Sequence, residues 1–307
     1  MLTEPRFSRF FSVAPDFKLS SELRLAVRKI IKAAEQITQG DFSARVPDLH
    51  SLDAGDGFGE IADCFNKMAQ ELSGTETLRT DFIANVSHEL KTPLAVIQNY
   101  GTMLQQPGLS EEKRLEYAKA VTDASRRLAN LITNILKLNK LENQQIFPQA
   151  ETYDLGEQLC QCLLAFENAW EEKDLDIQTD IQENVLVEAD GELLSLVWNN
   201  LFSNAVKFTE AGGTLSLTLE AQEDLAVVRV GDTGCGIPPE VGKHIFEKFY
   251  QGDTSHATQG NGLGLALVKR VMDIVGGDIS VESQVGVGSV FTVKLRRKRD
   301  GLEETAP

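Results

Sequence analysis

Two stretches of this chain carry apolar residues in alternating steps of three and four. Ile83, Val86, Leu90, Ile97, Tyr100 and Leu104 form one seam, with Pro93 in the remaining seam position. Val121, Ala124, Leu128, Leu131, Ile135 and Leu138 form the other. That spacing lines each set along one side of an α-helix. Gln106-Pro107-Gly108 lies between them and reads as a turn. The pattern predicts an antiparallel helical hairpin whose wide apolar stripe cannot be buried by one hairpin alone. Two hairpins make a four-helix bundle, so a homodimer is expected.

With Ile83 at heptad position a, His88 falls at f, pointing away from the seam. Packing gives no reason for a histidine there. A solvated surface histidine is the plain alternative, and its neighbours argue against that. Glu89 is adjacent and Thr92 lies one helical turn further on. Imidazole is largely neutral and nucleophilic near neutral pH. A carboxylate beside it can hold one ring N–H, fix the tautomer and accept the proton. Pro93 removes a backbone donor and should loosen the helix just past this point.

From about Phe147 the pattern changes to mixed α/β. Strand-like stretches run 175–181, 185–189, 214–220, 225–230, 279–283 and 289–295. Alternation at Leu215, Leu217 and Leu219, and again at Phe291, Val293 and Leu295, gives the sheet one buried face. Helical stretches at 155–170, 192–208 and 263–275 would cover that face. No Walker A string occurs, so a nucleotide is not held by a P-loop.

Three other features suit a nucleotide. Asn200 and Asn204 stand four apart on one predicted helix, with Lys207 one step round. Amide carbonyls suit Mg²⁺ bridging phosphates, and Lys207 supplies a counter-charge. Two asparagines among Leu196, Val197, Leu201 and Phe202 are unfavourable without a ligand. Next, Asp232-Thr233-Gly234-Cys235-Gly236 follows a strand, where the carboxylate could accept from an adenine amine. Finally, Gly260, Gly262, Leu263 and Gly264 open a helix, whose N–H groups and dipole favour a polyphosphate. Each glycine run alone is weak evidence.

The string His88-Glu89-Leu90-Lys91-Thr92-Pro93-Leu94 resembles the phosphoacceptor box of bacterial sensor histidine kinases. Asn199–Phe208, Asp232–Pro238, Phe246-Glu247-Lys248-Phe249-Tyr250 and Gln259–Leu265 resemble, in order, the N, G1, F and G2 boxes of that family's catalytic domain. Gly286–Phe291 resembles its closing glycine motif. The resemblance implies that His88 accepts phosphate, that Glu89 is the base and that Thr92 helps to dephosphorylate the partner regulator. It further implies a magnesium ligand at Asn204 with Asn200 beside it, adenine at Asp232, and phosphates near Gly262 and Gly264. ATP and Mg²⁺ are thus the expected cofactors. A separate response-regulator receiver domain is the expected partner. Ala33–Ile37, Gly40-Asp41-Phe42, Gly59-Glu60-Ile61 and Phe65–Ala69 resemble a HAMP linker.

The expected fold class is α followed by α/β. Residues 1–20 are unassigned, 21–74 a HAMP-like helical segment and 75–146 the hairpin of a dimeric four-helix bundle. An α/β sandwich that binds ATP follows at 147–299, then a tail at 300–307. Two departures stand out. Lys248 replaces the usual arginine, keeping charge but not bidentate geometry. Leu193 and Leu196 stand where polar residues are usual. Activity is expected, with weaker ATP affinity, and residues 252–260 are expected to form a lid. The alternative is a non-kinase ATPase or a nucleotide-sensing scaffold on the same fold.

The net charge of −16 disfavours nucleic acid. Cys64, Cys160, Cys162 and Cys235 lack zinc spacing and read as reduced thiols. No stretch has the length and apolarity of a membrane span. The expectation is a cytoplasmic chain, with a membrane anchor or sensor absent from it.

Overall fold

The computed structural model describes residues 21–47, 49, 57–142, 148–251 and 261–298. Expectations for 1–20, the tail at 300–307, the lid at 252–260 and Phe147 fall outside these residues. The chain divides into two compact units between Ala84 and Asn85.

The first unit contains α1 (Ser21–Thr38) and the start of α2 (Gly57–Leu104). Gly40, at φ 92°, ends α1 in the left-handed conformation. The unit's core gathers Ala26, Ala33, Val46, Leu49, Ala62, Phe65 and Ala69. The connector is tied to α2 by Asn66, which accepts from Val46 N at 2.8 Å and donates to Val46 O at 2.9 Å. Ile30, Ala34 and Ile37, which recur at helical spacing in the sequence, pack partly buried against this core. Ile31, Ile61, Met68 and Leu72 are exposed, while small Ala26, Ala33, Ala62 and Ala69 are buried.

One helix, α2, runs unbroken through Gly74 and Pro93. The sequence had suggested separate helices on either side of residue 75. Pro93 costs the donor to Glu89 O but does not end the helix, because the neighbouring turns keep their own bonds. After α2, Gly108 adopts φ 83° in the turn. Ser110 then starts α3 (Glu111–Glu142), accepting from Lys113 N through its hydroxyl and from Arg114 N through its carbonyl. Tyr100 on α2 and Tyr117 on α3 pack with ring centroids 5.2 Å apart, bringing the helices together near the turn. Ala124, Leu131 and Leu138 are buried one heptad apart.

The remaining elements are β1 (Glu151–Asp154), α4 (Leu155–Leu164), α5 (Glu167–Glu172), β2 (Asp176–Ile181), β3 (Leu186–Ala189), α6 (Gly191–Phe208), β4 (Thr214–Gln222), β5 (Leu225–Asp232), α7 (Pro239–Gly242), α8 (Gly264–Val275), β6 (Asp278–Gln284) and β7 (Gly288–Arg296). Five strands form a sheet in the order β2-β4-β5-β7-β6, with β2 and β4 parallel and the other pairs antiparallel. A separate antiparallel pair joins β1 to β3. In register across the large sheet, Leu217, Val230 and Phe291 share one face, as do Leu219, Val228 and Val293. Against it α6 buries Trp198, Leu201 and Phe202, and α8 buries Leu267, Val268 and Val271.

Strand β1 escaped the sequence reading because Glu151–Asp154 lacks apolar alternation. Its conformation comes from pairing with β3. The helix expected over 155–170 breaks after Leu164, and Phe166 turns edge-on to Phe202, with centroids 6.4 Å apart. No helix among the described residues is long and apolar enough to cross a membrane.

Candidate functional site

Helix α6 begins at Asp190, whose side chain accepts from Leu193 N at 3.0 Å and from Gln149 N at 3.0 Å. Its apolar side fills the core and so fixes which way the asparagines face. Asn199 and Asn200 donate to Ser195 O and Leu196 O, both at 2.7 Å. One amide N–H of each is thus satisfied within the helix, so Asn200 sits there without a ligand, against the expectation made for it and Asn204. That bond also orients Asn200: a Cβ placed on Gly264 would lie 2.6 Å from Asn200 Oδ1. A side chain there would have to push the Asn200 amide aside, so the start of α8 meets the asparagine face of α6.

Asn204, half-buried one turn further on, makes no side-chain hydrogen bond to another described residue. Its amide is free to ligate. Lys207 is half-buried, with Nζ 4.5 Å from the centroid of Phe208. Burial holds its ammonium below the usual lysine range.

Asp232 ends β5 opposite Leu215 and Ser289. Its carboxylate accepts from Gly234 N at 2.9 Å, and the N–H of its register partner Ser289 also favours the charged form. Burial pushes the carboxyl above its usual range, and the two backbone N–H groups partly offset this. Gly234 and Gly236 lie in the following turn. Ile237 N donates to Ser283 Oγ at 2.8 Å, and Gly286 N donates to Cys235 O at 2.8 Å, fastening the turn to the β6–β7 hairpin.

Phe249 N donates to Gly262 O at 2.8 Å, joining the aromatic segment to the glycine loop. Gly262 has φ 62°, and a Cβ there would lie 2.7 Å from Phe249 Cα. Leu263 is fully buried, with its N–H on Asn261 Oδ1 at 3.2 Å. Tyr250 packs on His244, with centroids 5.4 Å apart, and His244 Nδ1 lies 2.7 Å from Glu247 Oε1. Lys248 forms an ion pair with Glu142 at the end of α3. Arg270 on α8 donates to Leu141 O at 3.1 and 3.2 Å. This segment therefore faces the foot of the hairpin as well as the glycine loop.

His88 is exposed on α2, Glu89 is half-buried, and Thr92 is exposed with its hydroxyl 3.4 Å from His88 O. The structure thus joins Asn200 to Gly264, Asp232 to Gly234, and Gly262 to Phe249 and Tyr250. Among the described residues, no hydrogen bond or ion pair links His88 to any of them. Gly260 lies outside the described residues. The sequence reading missed Ser289 as a partner of Asp232. Only strand register reveals it, since 57 positions in sequence separate the two.

Residues 189–299 match the family described as histidine kinase-, DNA gyrase B-, and HSP90-like ATPase. Residues 78–144 match the His Kinase A (phospho-acceptor) domain. The chain is 31% identical over 272 residues to the sensor protein VanSC of Enterococcus gallinarum, covering 88% of this chain and 75% of that protein. It is 40% identical over 220 residues to the circadian input-output histidine kinase CikA of Synechococcus elongatus, covering 69% of this chain and 29% of that protein. A solved structure of the Acinetobacter baumannii histidine kinase AdeS superposes with a TM-score of 0.57 at 25% identity, covering 69% of this chain and 98% of that one. The chain spans 29% to 58% of the length of several such curated relatives.

Proposed function

This chain belongs to the family of two-component sensor histidine kinases, and on that premise we propose that it phosphorylates its own His88 from ATP. The phosphate then passes to an aspartate on a separate response-regulator domain. The observation that carries this reading is that the asparagine face of α6 meets the glycine start of α8 while the end of α6 lies against the turn that follows Asp232, in a chain with an exposed histidine beside a carboxylate.

The residues fit a metal nucleotide. Asn200 Oδ1 faces the glycine start of α8, and Asn204 has an amide with no partner among the described residues. Asn204, with Asn200 beside it, would hold Mg²⁺, which when bound offsets phosphate charge. Asp232 accepts from the adenine amine while the Gly234 and Ser289 N–H groups hold its carboxylate in place. The exposed N–H groups that open α8 face the phosphates, and Lys207 adds positive charge.

A ring nitrogen of His88 attacks the γ-phosphorus with its lone pair. The bond from that phosphorus to the β–γ bridging oxygen breaks, and ADP leaves with the electron pair. Glu89 orients the ring and takes the proton from the other nitrogen. In the second step a carboxylate oxygen of the regulator attacks the phosphorus, and the imidazole leaves. Thr92, one turn from His88, is placed to help a water remove phosphate from the regulator. The half-buried seam of the hairpin supports a homodimer, and residues 75–146 and 147–299 are taken as the phosphoacceptor and ATP-binding domains.

Incubation with [γ-³²P]ATP and Mg²⁺ tests the reading. Acid-labile label is expected on the parent chain and none on His88→Gln. Label retained by His88→Gln would place the acceptor elsewhere. ATP binding without any label on the parent would favour a nucleotide-sensing scaffold.

A further inference from the structure

A helix leaves its last four carbonyls without intrahelical donors, so the end of α6 needs partners from elsewhere. A left-handed glycine often closes such an end. Here the residue after Phe208 is Thr209, which is extended at φ −75° and ψ 133°, so that closure is absent. Ala205 O is taken by Thr209, through its N–H at 3.0 Å and its hydroxyl at 2.6 Å. Val206 O, Lys207 O and Thr209 O all accept from Lys173 Nζ, at 2.8, 2.9 and 2.8 Å. An ammonium has three N–H donors, and all three are used. Phe208 O faces Gly234 so closely that any side chain there would collide with it. Each terminal carbonyl is therefore held by Thr209, by Lys173 or against the turn that follows Asp232.

Lys173 also grips the connection beyond the helix. It is the C-cap of α5, and its own carbonyl accepts from Gly212 N at 3.0 Å. Two residues on, Thr214 N donates to Thr233 Oγ1 at 2.8 Å. One residue thus holds both ends of the segment from Lys207 to Gly212, two residues before the Thr214 that is bonded to the neighbour of Asp232. A cation at a helix C-terminus also complements the helix dipole.

We propose that Lys173 is a positioning residue for the nucleotide site. Its ammonium holds the last turn of α6, and through that turn sets Lys207 and the Asp232–Gly234 turn in place. The inference rests on reading that site as the ATP site. Lys173 touches the backbone of α6 and acts on the nucleotide only through it.

The test is calorimetric titration of the full chain with ADP and Mg²⁺, beside melting curves without nucleotide. Lys173→Met keeps the apolar stem and removes the donors. Its dissociation constant is expected to rise about tenfold at a temperature where the variant is folded, the scale of losing one charged hydrogen-bond set. Lys173→Arg keeps the charge, but its planar fork cannot meet three converging carbonyls, so it should recover only part of the affinity. A lower melting temperature with unchanged affinity in folded Lys173→Met would make the residue a helix cap only, and overturn the inference. Should Lys173→Met not fold, Lys173→Arg decides: affinity equal to the parent overturns the inference, and a partial loss supports it. If the parent itself fails to bind ADP, the ATP reading falls and the inference with it. If the parent binds and the folded variants bind equally well, the inference falls alone.

Discussion

The hairpin and the α/β sandwich contain similar proportions of apolar residues and use them in opposite ways. In the sandwich Trp198, Phe202, Leu194 and Leu217 are fully buried. On the hairpin Leu115 is 72% exposed, Leu136 62% and Ile132 45%. The sandwich closes its sheet with its own helices, so it completes a core within one chain. Leu131 and Leu138 are buried, but these other large apolar side chains of the hairpin face outward, and covering them takes surface from outside the hairpin. This contrast separates the two parts of the proposed reaction: a self-contained sandwich for ATP, and a phosphoacceptor on an element that leaves apolar surface uncovered.

The largest effect is expected from removing the free amide of the sandwich. Asn204→Ala should reduce labelling more than about 100-fold, as loss of a ligand that steadies transition-state charge does. The oligomeric state by light scattering should match that of the parent. A monomeric Asn204→Ala chain would mean that the two regions are not independent in the way described.

Next comes the hairpin. Leu136→Glu places charge on its uncovered face and should weaken association by about 100-fold, since burying an unpaired charge is costly. Both tryptophans, Trp170 and Trp198, lie in the sandwich. Tryptophan fluorescence therefore follows the sandwich alone, and its melting curve should not change. Leu201→Ala is the converse. A cavity behind α6 should lower the stability of the sandwich by about 2–5 kcal/mol, seen by tryptophan fluorescence, with association intact. If Leu136→Glu shifts the tryptophan transition as far as Leu201→Ala does, the contrast fails.

How much could be read without coordinates follows the same division. The heptads placed His88 outside the seam, and it is exposed. The six strands with apolar alternation or β-branched runs were legible because a half-buried sheet imposes period two on sequence. Strand β1 was not, because its pattern is set by pairing and not by burial. The first unit was half legible. Helical spacing pointed to Ile30, Ile37 and Phe65, which do meet its core, but not to the small Ala26, Ala33, Ala62 and Ala69 that complete it, because alanine marks no helix face. Within the candidate site, the residues that carry chemistry were legible from spacing. Those that hold them, Ser289 on Asp232 and Lys173 on α6, were not. Each acts through a backbone group, the N–H of Ser289 or the carbonyls that end α6, far from its partner in sequence, and a backbone group leaves no trace in residue type.

The smallest effect expected concerns Asp232, where the two uses of burial meet in one side chain. Burial raises its carboxyl above the usual range in the folded chain. Between the ordinary carboxylate value and the raised one, the folded state binds more protons than the unfolded state. Stability therefore falls as pH rises through that window, and the cost persists at neutral pH. Asn at this position keeps an oxygen to accept from Gly234 N and Ser289 N but carries no charge. Without nucleotide, Asp232→Asn should melt about 1–3 °C above the parent at neutral pH, with the gap closing below the ordinary carboxylate range. The parent's affinity for ADP should fall as acid protonates the carboxylate. The variant, already lacking a charged acceptor, should bind weakly and show no such dependence. A variant that melts below the parent at neutral pH would show that the N–H bonds to the carboxylate outweigh its burial. The sandwich would then gain stability from the charge that its site requires.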